Sequence, residues 1–348
     1  MKDWRIGMLS RFKSAARILI KGDTRKKKRN PIPAITTEEV LEIKQFFPRE
    51  KFFIFGHARS GTTLLMRLVR LHPEVHCNYQ AHFFTRQPLL KSLVDTPEVE
   101  EWLTRRSNRW NQGHDLSPLI LRAAADLIME RDAAKEGKRI VGDKSPSSTI
   151  HGQAVRDLHA VYPDAKLVYI VRDGRDVLIS ERFRNLVEES RFLKTEDKHI
   201  IAELRRDQTQ FTNGTKSIFT ETVIRRVAQG WVRNLQETEE EARRLFGENY
   251  RSLRYEDLLA HPFAEMQKLW EFLGVQVGPL LEKTIVAEMS SNPDEEWQTK
   301  RSENIASFLP KGHAGNWQKL FTAPDKSLFK EVAGEMLVQW KYEKDLSW

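Results

Sequence analysis

One stretch of the chain, residues 51–71 (KFFIFGHARSGTTLLMRLVRL), constrains the fold more than any other. It begins with an apolar, ring-rich run of strand length, Phe52–Phe55. A loop bounded by Gly56 and Gly61 follows, and the run TTLLMRLVRL then has the apolar spacing of an amphipathic helix. Strand, glycine-bounded loop and helix is the arrangement in which backbone N–H groups and a helix N-terminus bind a phosphate.

This loop differs from the common loop for nucleoside triphosphates. The spacing of Gly56 and Gly61 fits G-x-x-x-x-G, but Thr62 and Thr63 follow where the Walker pattern requires Lys and then Ser or Thr. The nearby cation is Arg59, inside the loop. The sequence therefore predicts a phosphate site without the lysine of an ordinary ATP-binding loop.

Short apolar runs and helical patterns alternate along the chain, which predicts an α/β fold with three layers: a central parallel sheet flanked by helices, P-loop-like in layout. The predicted strands are 52–55, 75–77, 138–142, 166–171 and 250–254, and the clearest predicted helices are 37–46, 151–161, 219–246 and 328–340. The charged segment 186–214 has few apolar anchors, and we interpret it as a mobile acceptor-side segment or a lid. The last eighty residues are expected to be rich in loops before the closing helix.

Composition limits the partners and the compartment. A net charge of +8 favours anionic partners without choosing among nucleotides, sulfated products, membranes and nucleic acid. The single cysteine, Cys77, excludes an intrachain disulfide framework and cysteine-based zinc clusters and fits a reducing compartment. With no signal-peptide core and no apolar run of about 20 residues, a cytoplasmic location without a transmembrane anchor is expected.

We divide the chain into a basic N-terminal extension and linker, 1–48, and one catalytic domain, 49–348. Residues 1–21 interleave apolar side chains with Lys and Arg, so they could form an amphipathic helix on an anionic membrane, a helix packed on the domain or a frayed terminus. The basic run near 23–33 reads as a solvated linker. Basic residues elsewhere are dispersed among acidic ones, so nucleic acid is not an expected partner.

The string GHARSGTTLL resembles the 5′-phosphosulfate loop of sulfotransferases that use 3′-phosphoadenosine 5′-phosphosulfate (PAPS). The string YIVRDGRDVLIS resembles the motif in which a strand-end Arg and a later Ser bind the 3′-phosphate of PAPS. By that resemblance, the 5′-phosphate site comprises Arg59, Ser60, Gly61, Thr62 and Thr63, and the 3′-phosphate site comprises Arg172 and Ser180.

Two later segments complete the resemblance. LRYEDLLAHPF is similar to the segment in which a Tyr packs on the adenine, which assigns that role to Tyr255. FLPKGHAGNW is similar to the late lysine–glycine loop over the cofactor, which adds Lys311 and Gly312. Pro310 stands where the family often has an arginine. The four motifs occur in the family's order and span most of the chain.

The resemblance implies in-line attack of an acceptor hydroxyl or amine on sulfur, with no metal required. Many relatives have a glutamate base after the second strand, but CNYQAHFF has no acid there, so His82 is the best candidate for the general base. Asp143 and Lys144 are similar to the acidic-Lys-Ser-Pro segment of carbohydrate sulfotransferases, and Lys144 could stabilise the transferring group or hold an anionic acceptor. The catalytic set is therefore His82, Arg59 and Lys144.

The RSGTTLL loop and the Asp-Lys-Ser-Pro segment favour a carbohydrate, lipid or peptidyl hydroxyl over a flat phenol, placing the chain nearer the carbohydrate and tyrosylprotein type of the family than the phenol type. Two alternatives remain open. One is a pseudoenzyme that binds PAPS or another nucleotide without turning it over, and the other is a P-loop kinase for small molecules.

Overall fold

The computed structural model describes residues 32–86, 90–105, 107, 109–111, 113–187, 193–278, 280–291 and 313–348. Residues 1–31, Lys311 and Gly312 lie outside these ranges, so the interpretations of the N-terminus and of the late lysine–glycine pair stay predictions. Every helix within the described ranges is too short or too polar to cross a membrane.

Five parallel strands form one sheet in the order β2-β3-β1-β4-β5. The strands are β1 Glu50–Gly56, β2 Val75–Tyr79, β3 Ile140–Lys144, β4 Lys166–Val171 and β5 Tyr250–Arg254. All five strands were predicted, although β3 lies two residues later than expected. It extends through Asp143 and Lys144 because these pair in register with Phe53 and Ile54 of β1.

The helices that connect and cover these strands are α1 Thr37–Phe46, α2 Thr62–Val69, α3 Pro97–Thr104, α4 Ser117–Lys135, α5 Gly152–Val161, α6 Gly174–Val187, α7 Thr195–Arg206, α8 Thr209–Thr212, α9 Glu221–Phe246, α10 Tyr255–Ala260, α11 Pro262–Leu273, α12 Leu281–Ser290, α13 Trp317–Leu320 and α14 Ala323–Gln339. Short 3₁₀ helices span Lys91–Val94 and Gly247–Asn249.

The two faces of β1 show why the fold has three layers. Successive strand side chains point to opposite faces, so Phe53 and Phe55 enter one core and Phe52 and Ile54 enter the other. The first core is closed by residues of α4, α5 and α9, among them Leu121, Val155 and Trp231. The second is closed by residues of α2 and α11, among them Leu65 and Leu269. The predicted fold class is confirmed.

Two segments expected to be irregular contain helices. In 186–214 the chain forms α7 and α8, which bury Ile201, Leu204 and Phe211. These few apolar side chains lie three or more residues apart on short helices, so the surrounding charges obscured the pattern. The region before the closing helix likewise contains α12, with Leu281 and Ile285 buried.

Candidate active site

The loop after β1 fits tightly against its surroundings. A Cβ at Gly56 would lie 2.9 Å from the carbonyl oxygen of Ile170 on β4. At Gly61, where φ is +85°, a Cβ would lie 2.1 Å from Cδ2 of the Tyr255 ring. Both glycines are therefore required by close approach, and Gly61 also by its left-handed backbone.

Helix α2 begins immediately after this loop, at Thr62. The loop residue Ser60 is fully buried, and its hydroxyl oxygen has no hydrogen-bond partner among the described residues. Arg59 has a φ of +76°, in the left-handed region that residues other than glycine rarely adopt. A strained loop with an unpartnered buried hydroxyl at a helix N-terminus is the construction expected of an anion site.

Arg172 leaves the end of β4 and reaches this loop. Its Nη1 donates to the carbonyl oxygen of Arg59 at 3.1 Å, and its Nη2 donates to that of His313 at 3.0 Å. The guanidinium lies 4.9 Å from the ring centroid of Tyr255. The Nε of Arg172 is buried and has no partner within the described part of the chain. The Nε–H of the guanidinium thus remains for a ligand.

Ser180, two turns into α6, joins the same cluster. The Nε of Arg59 donates to Ser180 Oγ at 2.9 Å, although the two residues are 121 positions apart. Arg59, Arg172, Ser180 and Tyr255 were predicted separately from three motifs, and they lie together at the carboxyl edge of the sheet. This edge, beside the central strand β1, is where open α/β sheets bind ligands.

The long helix α9 packs against the chain that follows β4. Trp231 Nε1 donates to the carbonyl oxygen of Arg172 at 3.1 Å. A Cβ at Gly174 would lie 2.6 Å from the Trp231 ring, so that glycine permits the helix and the turn to meet. The sequence analysis predicted the helix over 219–246 but missed this positioning role of Trp231, since a core tryptophan gives no signal of its partner.

Asp176 was also missed. Its carboxylate accepts from the N–H of Gly315 at 2.7 Å and from the N–H of Trp317 at 3.1 Å. These contacts, with the bond from Arg172 to His313, hold the segment that follows Lys311 and Gly312 beside the cluster. A signal existed in RDGRD, since Asp176, in the first turn of α6, lies four residues after Arg172, and its Oδ2 is 4.0 Å from Arg172 Nη2.

Lys144 ends β3 and lies beside the same loop. Its Nζ donates to Thr63 Oγ1 at 3.3 Å and lies 3.8 Å from the ring centroid of Tyr79. Burial lowers the pKa of Lys144 to about 8, against the opposing effect of the Cys77 thiol and the Asp143 carboxyl. The lysine is thus a cation at neutral pH but gives up its proton more readily than an exposed lysine.

His82 lies in the turn after β2 and is buried. Its Nδ1 is 2.9 Å from Thr85 Oγ1, and its Nε2 has no partner among the described residues. Burial, with the positive charges of Arg86 and Lys144, lowers the pKa of His82 to about 4. The imidazole is therefore neutral at physiological pH and has one nitrogen without a partner, as a proton acceptor requires.

These atoms define what the edge can bind. The unpartnered Ser60 hydroxyl and Arg172 Nε are donors, and Arg59 and Lys144 add positive charge around them. Buried donors without partners are costly unless a ligand satisfies them. The residues present fit a ligand that brings anionic oxygens. Across the described ranges no group of three or more His, Cys, Asp or Glu side chains is arranged to hold a metal ion.

Comparison with known proteins agrees with this chemistry. A family model described as the Sulfotransferase family matches residues 51–279. Protein-tyrosine sulfotransferase A of Caenorhabditis elegans is 25% identical over 227 residues, covering 64% of this chain and 49% of that protein. The protein-tyrosine sulfotransferase of Drosophila melanogaster is 26% identical over 227 residues, covering 64% of this chain and 38% of that protein. The chain thus spans less than half the length of these two relatives.

Among solved structures, a sulfotransferase domain from the curacin biosynthetic pathway matches with a TM-score of 0.50. The match covers 85% of this chain and 98% of that domain at 18% sequence identity. At this identity the likeness concerns the fold, and it agrees with the parallel sheet and phosphate-type loop described above.

Proposed function

Because the chain belongs to the Sulfotransferase family, we propose that it transfers the sulfuryl group of PAPS to a hydroxyl group of an acceptor. The observation that carries the proposal is the meeting of Arg59, Arg172, Ser180 and Lys144 at one edge of the sheet. These side chains come from separate parts of the sequence, and together they supply positive charge and donors to a doubly phosphorylated nucleotide.

In this proposal the loop N–H groups, Arg59 and the hydroxyls of the loop hold the 5′-phosphosulfate. Arg172 and Ser180 hold the 3′-phosphate, for which the buried Nε of Arg172 offers a donor in addition to its two bonded nitrogens. Tyr255 lies over Gly61 and beside Arg172, and in this proposal its ring packs on the nucleotide base. Lys311 and Gly312 remain predicted contacts to the 3′-phosphate.

The acceptor oxygen attacks sulfur, the bond from sulfur to the 5′-phosphate oxygen breaks, and adenosine 3′,5′-bisphosphate leaves. His82 takes the acceptor proton on Nε2, while Nδ1 stays bound to Thr85. Lys144 and Arg59 stabilise the negative charge that develops on the transferring and leaving oxygens. Since this chemistry resembles phosphoryl transfer, positioning and charge stabilisation supply most of the acceleration.

The acceptor class is proposed from the names of the relatives and from one segment of the sequence. The names of the two relatives make a tyrosine hydroxyl in a peptide the first acceptor to test, and the Asp143-Lys144-Ser145-Pro146 segment makes a carbohydrate hydroxyl the second. A pseudoenzyme would bind the nucleotide without turnover, and a kinase would require ATP and Mg²⁺.

Calorimetric titration with adenosine 3′,5′-bisphosphate, 5′-AMP and ATP, without metal, tests the nucleotide site. We expect selective binding of the bisphosphate, weakened at least about 10-fold in Arg172→Ala, since a charge-assisted bond is worth roughly 1.5–3 kcal/mol. Arg131→Ala is the matched control, because Arg131 is exposed and pairs with the neighbouring Asp132.

Equal binding of the three nucleotides, or selective binding unaffected by Arg172→Ala, would overturn the assignment. Turnover is then measured with radiolabelled PAPS against tyrosine peptides and saccharides. Selective binding without transfer to any acceptor would favour the pseudoenzyme.

A further inference from the structure

The turn that carries His82 is strained. Directly after β2, Gln80 has a φ of +59° and His82 a φ of +55°, both in the left-handed region. Neither residue is glycine, so each conformation is unfavourable in isolation. Such a turn persists only when its surroundings hold it in place.

Three consecutive N–H groups of this turn are held by three consecutive residues at the end of β3. The N–H of Gln80 donates to the carbonyl oxygen of Lys144 at 2.8 Å. The N–H of Ala81 donates to Asp143 Oδ1 at 3.0 Å, and the N–H of His82 donates to Ser145 Oγ at 2.8 Å. The hydroxyl of Ser145 in turn donates to Asp143 Oδ2.

Two of these three contacts depend on side chains rather than on backbone. The Asp143 carboxylate accepts from the N–H of Ala81 and from the hydroxyl of Ser145, and the Ser145 oxygen in turn accepts from the N–H of His82. Both side chains are buried, so neither is exposed to an acceptor in solution. Their hydrogen bonds therefore reach the reaction through the turn, whereas the charge of Asp143 also acts directly on Lys144.

We propose that Asp143 and Ser145 are positioning residues that fix the backbone of the turn so that the imidazole of His82 is held for proton transfer. This inference rests on the role proposed for His82. With Nε2 as the proton acceptor, Nδ1 carries the ring hydrogen and donates it to Thr85 Oγ1, which sets the ring orientation. The bond that the N–H of His82 donates to Ser145 Oγ sets the position from which the ring projects.

The electrostatics of Asp143 support a role other than stabilising the fold. Burial raises the pKa of Asp143 to about 6, against the hydrogen bonds from Ser145 and Ala81 and the charge of Lys144. Above pH 6 the Asp143 carboxylate is buried in its charged form, although a neutral amide of the same shape would have a smaller free-energy cost of desolvation. The ionised form accepts both bonds without donating, which the arrangement around Ser145 and Ala81 requires.

The test uses the full chain with Ser145→Ala and Asp143→Asn, and Ser217→Ala as the matched control. Ser217 also donates to a buried aspartate, Asp325, at 2.9 Å, but it does not contact the turn. In both test variants we expect amide exchange at Ala81 and His82 to accelerate at least about 10-fold. Unchanged exchange at both amides would overturn the proposal without reference to activity.

Activity then separates positioning from general destabilisation. With the acceptor that the wild type uses, we expect kcat to fall about 10- to 100-fold, with the dissociation constant of adenosine 3′,5′-bisphosphate unchanged. A kcat that stays at the wild-type value would overturn the proposal. Failure of the wild type to bind the bisphosphate would instead count against the proposed function. Amide exchange would still test whether Asp143 and Ser145 hold the backbone of the turn.

A double-variant cycle supplies the decisive readout. If Ser145 acts through His82, Ser145→Ala should lower kcat strongly in the wild type but less than about twofold in the His82→Ala background, because the group it positions is gone. Radiolabelled donor makes the residual activity of His82→Ala measurable. Equal losses in the two backgrounds would mean that Ser145 does not act through His82.

Discussion

Gly61→Ala separates two reasons why the phosphate-type loop needs glycine. The first is the backbone: at a φ of +85°, an alanine costs about 1–2 kcal/mol in unfolding free energy. The second is space: the new Cβ would lie 2.1 Å from Tyr255 Cδ2, and the ring is buried, so it must be displaced. Overpacking of this kind costs roughly 1–3 kcal/mol more. We expect a total loss of about 2–5 kcal/mol.

Urea unfolding of the wild type, Gly61→Ala, Tyr255→Ala and the double variant measures the two parts. Without the Tyr255 ring, Gly61→Ala should cost only the backbone part, which gives a coupling of about 1–3 kcal/mol. Gly137→Ala is the matched control, since Gly137 has a φ of +67° and nothing within 4 Å of the added Cβ. An equal cost of Gly61→Ala with and without Tyr255 would refute the reasoning from close approach.

Two further predictions concern pH. The kcat/KM of the wild type should fall as Asp143 is protonated near pH 6, fall further below about pH 4, where His82 is protonated, and also fall above about pH 8, where Lys144 loses its proton. The acid limb should vanish in His82→Ala, and activity that instead rises through pH 8 would mean that neutral Lys144 is the base. The second prediction concerns stability. Because the folded pKa of Asp143 is raised to about 6 from about 3.9 in the unfolded chain, its contribution is fully present below pH 3.9 and is lost as pH rises through 6. Relative to Asp143→Asn, the unfolding free energy of the wild type should fall by up to about 3 kcal/mol across that interval and then stay level. Urea unfolding at several pH values measures this, and a constant difference between the two proteins would contradict it.

The sequence predicted the parts of the site that depend on local pattern. A buried strand followed by a glycine-bounded loop and a helix fixes where Gly56–Thr63 must lie, and a strand that ends at Arg172 brings that residue to the same edge. The contact between Arg59 and Ser180 then follows from the layout of the sheet rather than from sequence spacing. The fold class and the family could be predicted for the same reason, as three of the four motifs are each tied to a strand end or a helix start.

The parts that could not be predicted depend on contacts between distant residues. The bond from Ala81 to Asp143 joins positions 62 apart, and it exists because β2 pairs with β3 in a register that sets Tyr79 opposite Lys144. Register is a property of the assembled sheet, so neither CNYQAHFF nor VGDKSP reveals it alone. The helices within 186–214 were missed because their buried faces are short and surrounded by charge.

Buried charged groups pair with one another near the start of β1, whereas several buried polar atoms at the carboxyl edge lack a partner in the described ranges. This contrast favours a ligand at the carboxyl edge. Near the start of β1, Lys51 Nζ is 2.7 Å from Glu130 and 3.5 Å from Asp126, and Arg122 binds Asp126 at 2.9 Å. These buried charges satisfy one another, as buried charges in a stable core must.

At the carboxyl edge, by contrast, Ser60 Oγ, His82 Nε2 and Arg172 Nε are all buried without partners in the described ranges. Lys144 there has a hydroxyl and a ring as its near contacts rather than an ion pair. A fold optimised for stability alone would pair or remove such groups, since each unsatisfied buried polar group costs about 1–3 kcal/mol. The missing partners of these three atoms are explained if an anionic substrate completes the set, and this argument holds whichever acceptor the protein uses.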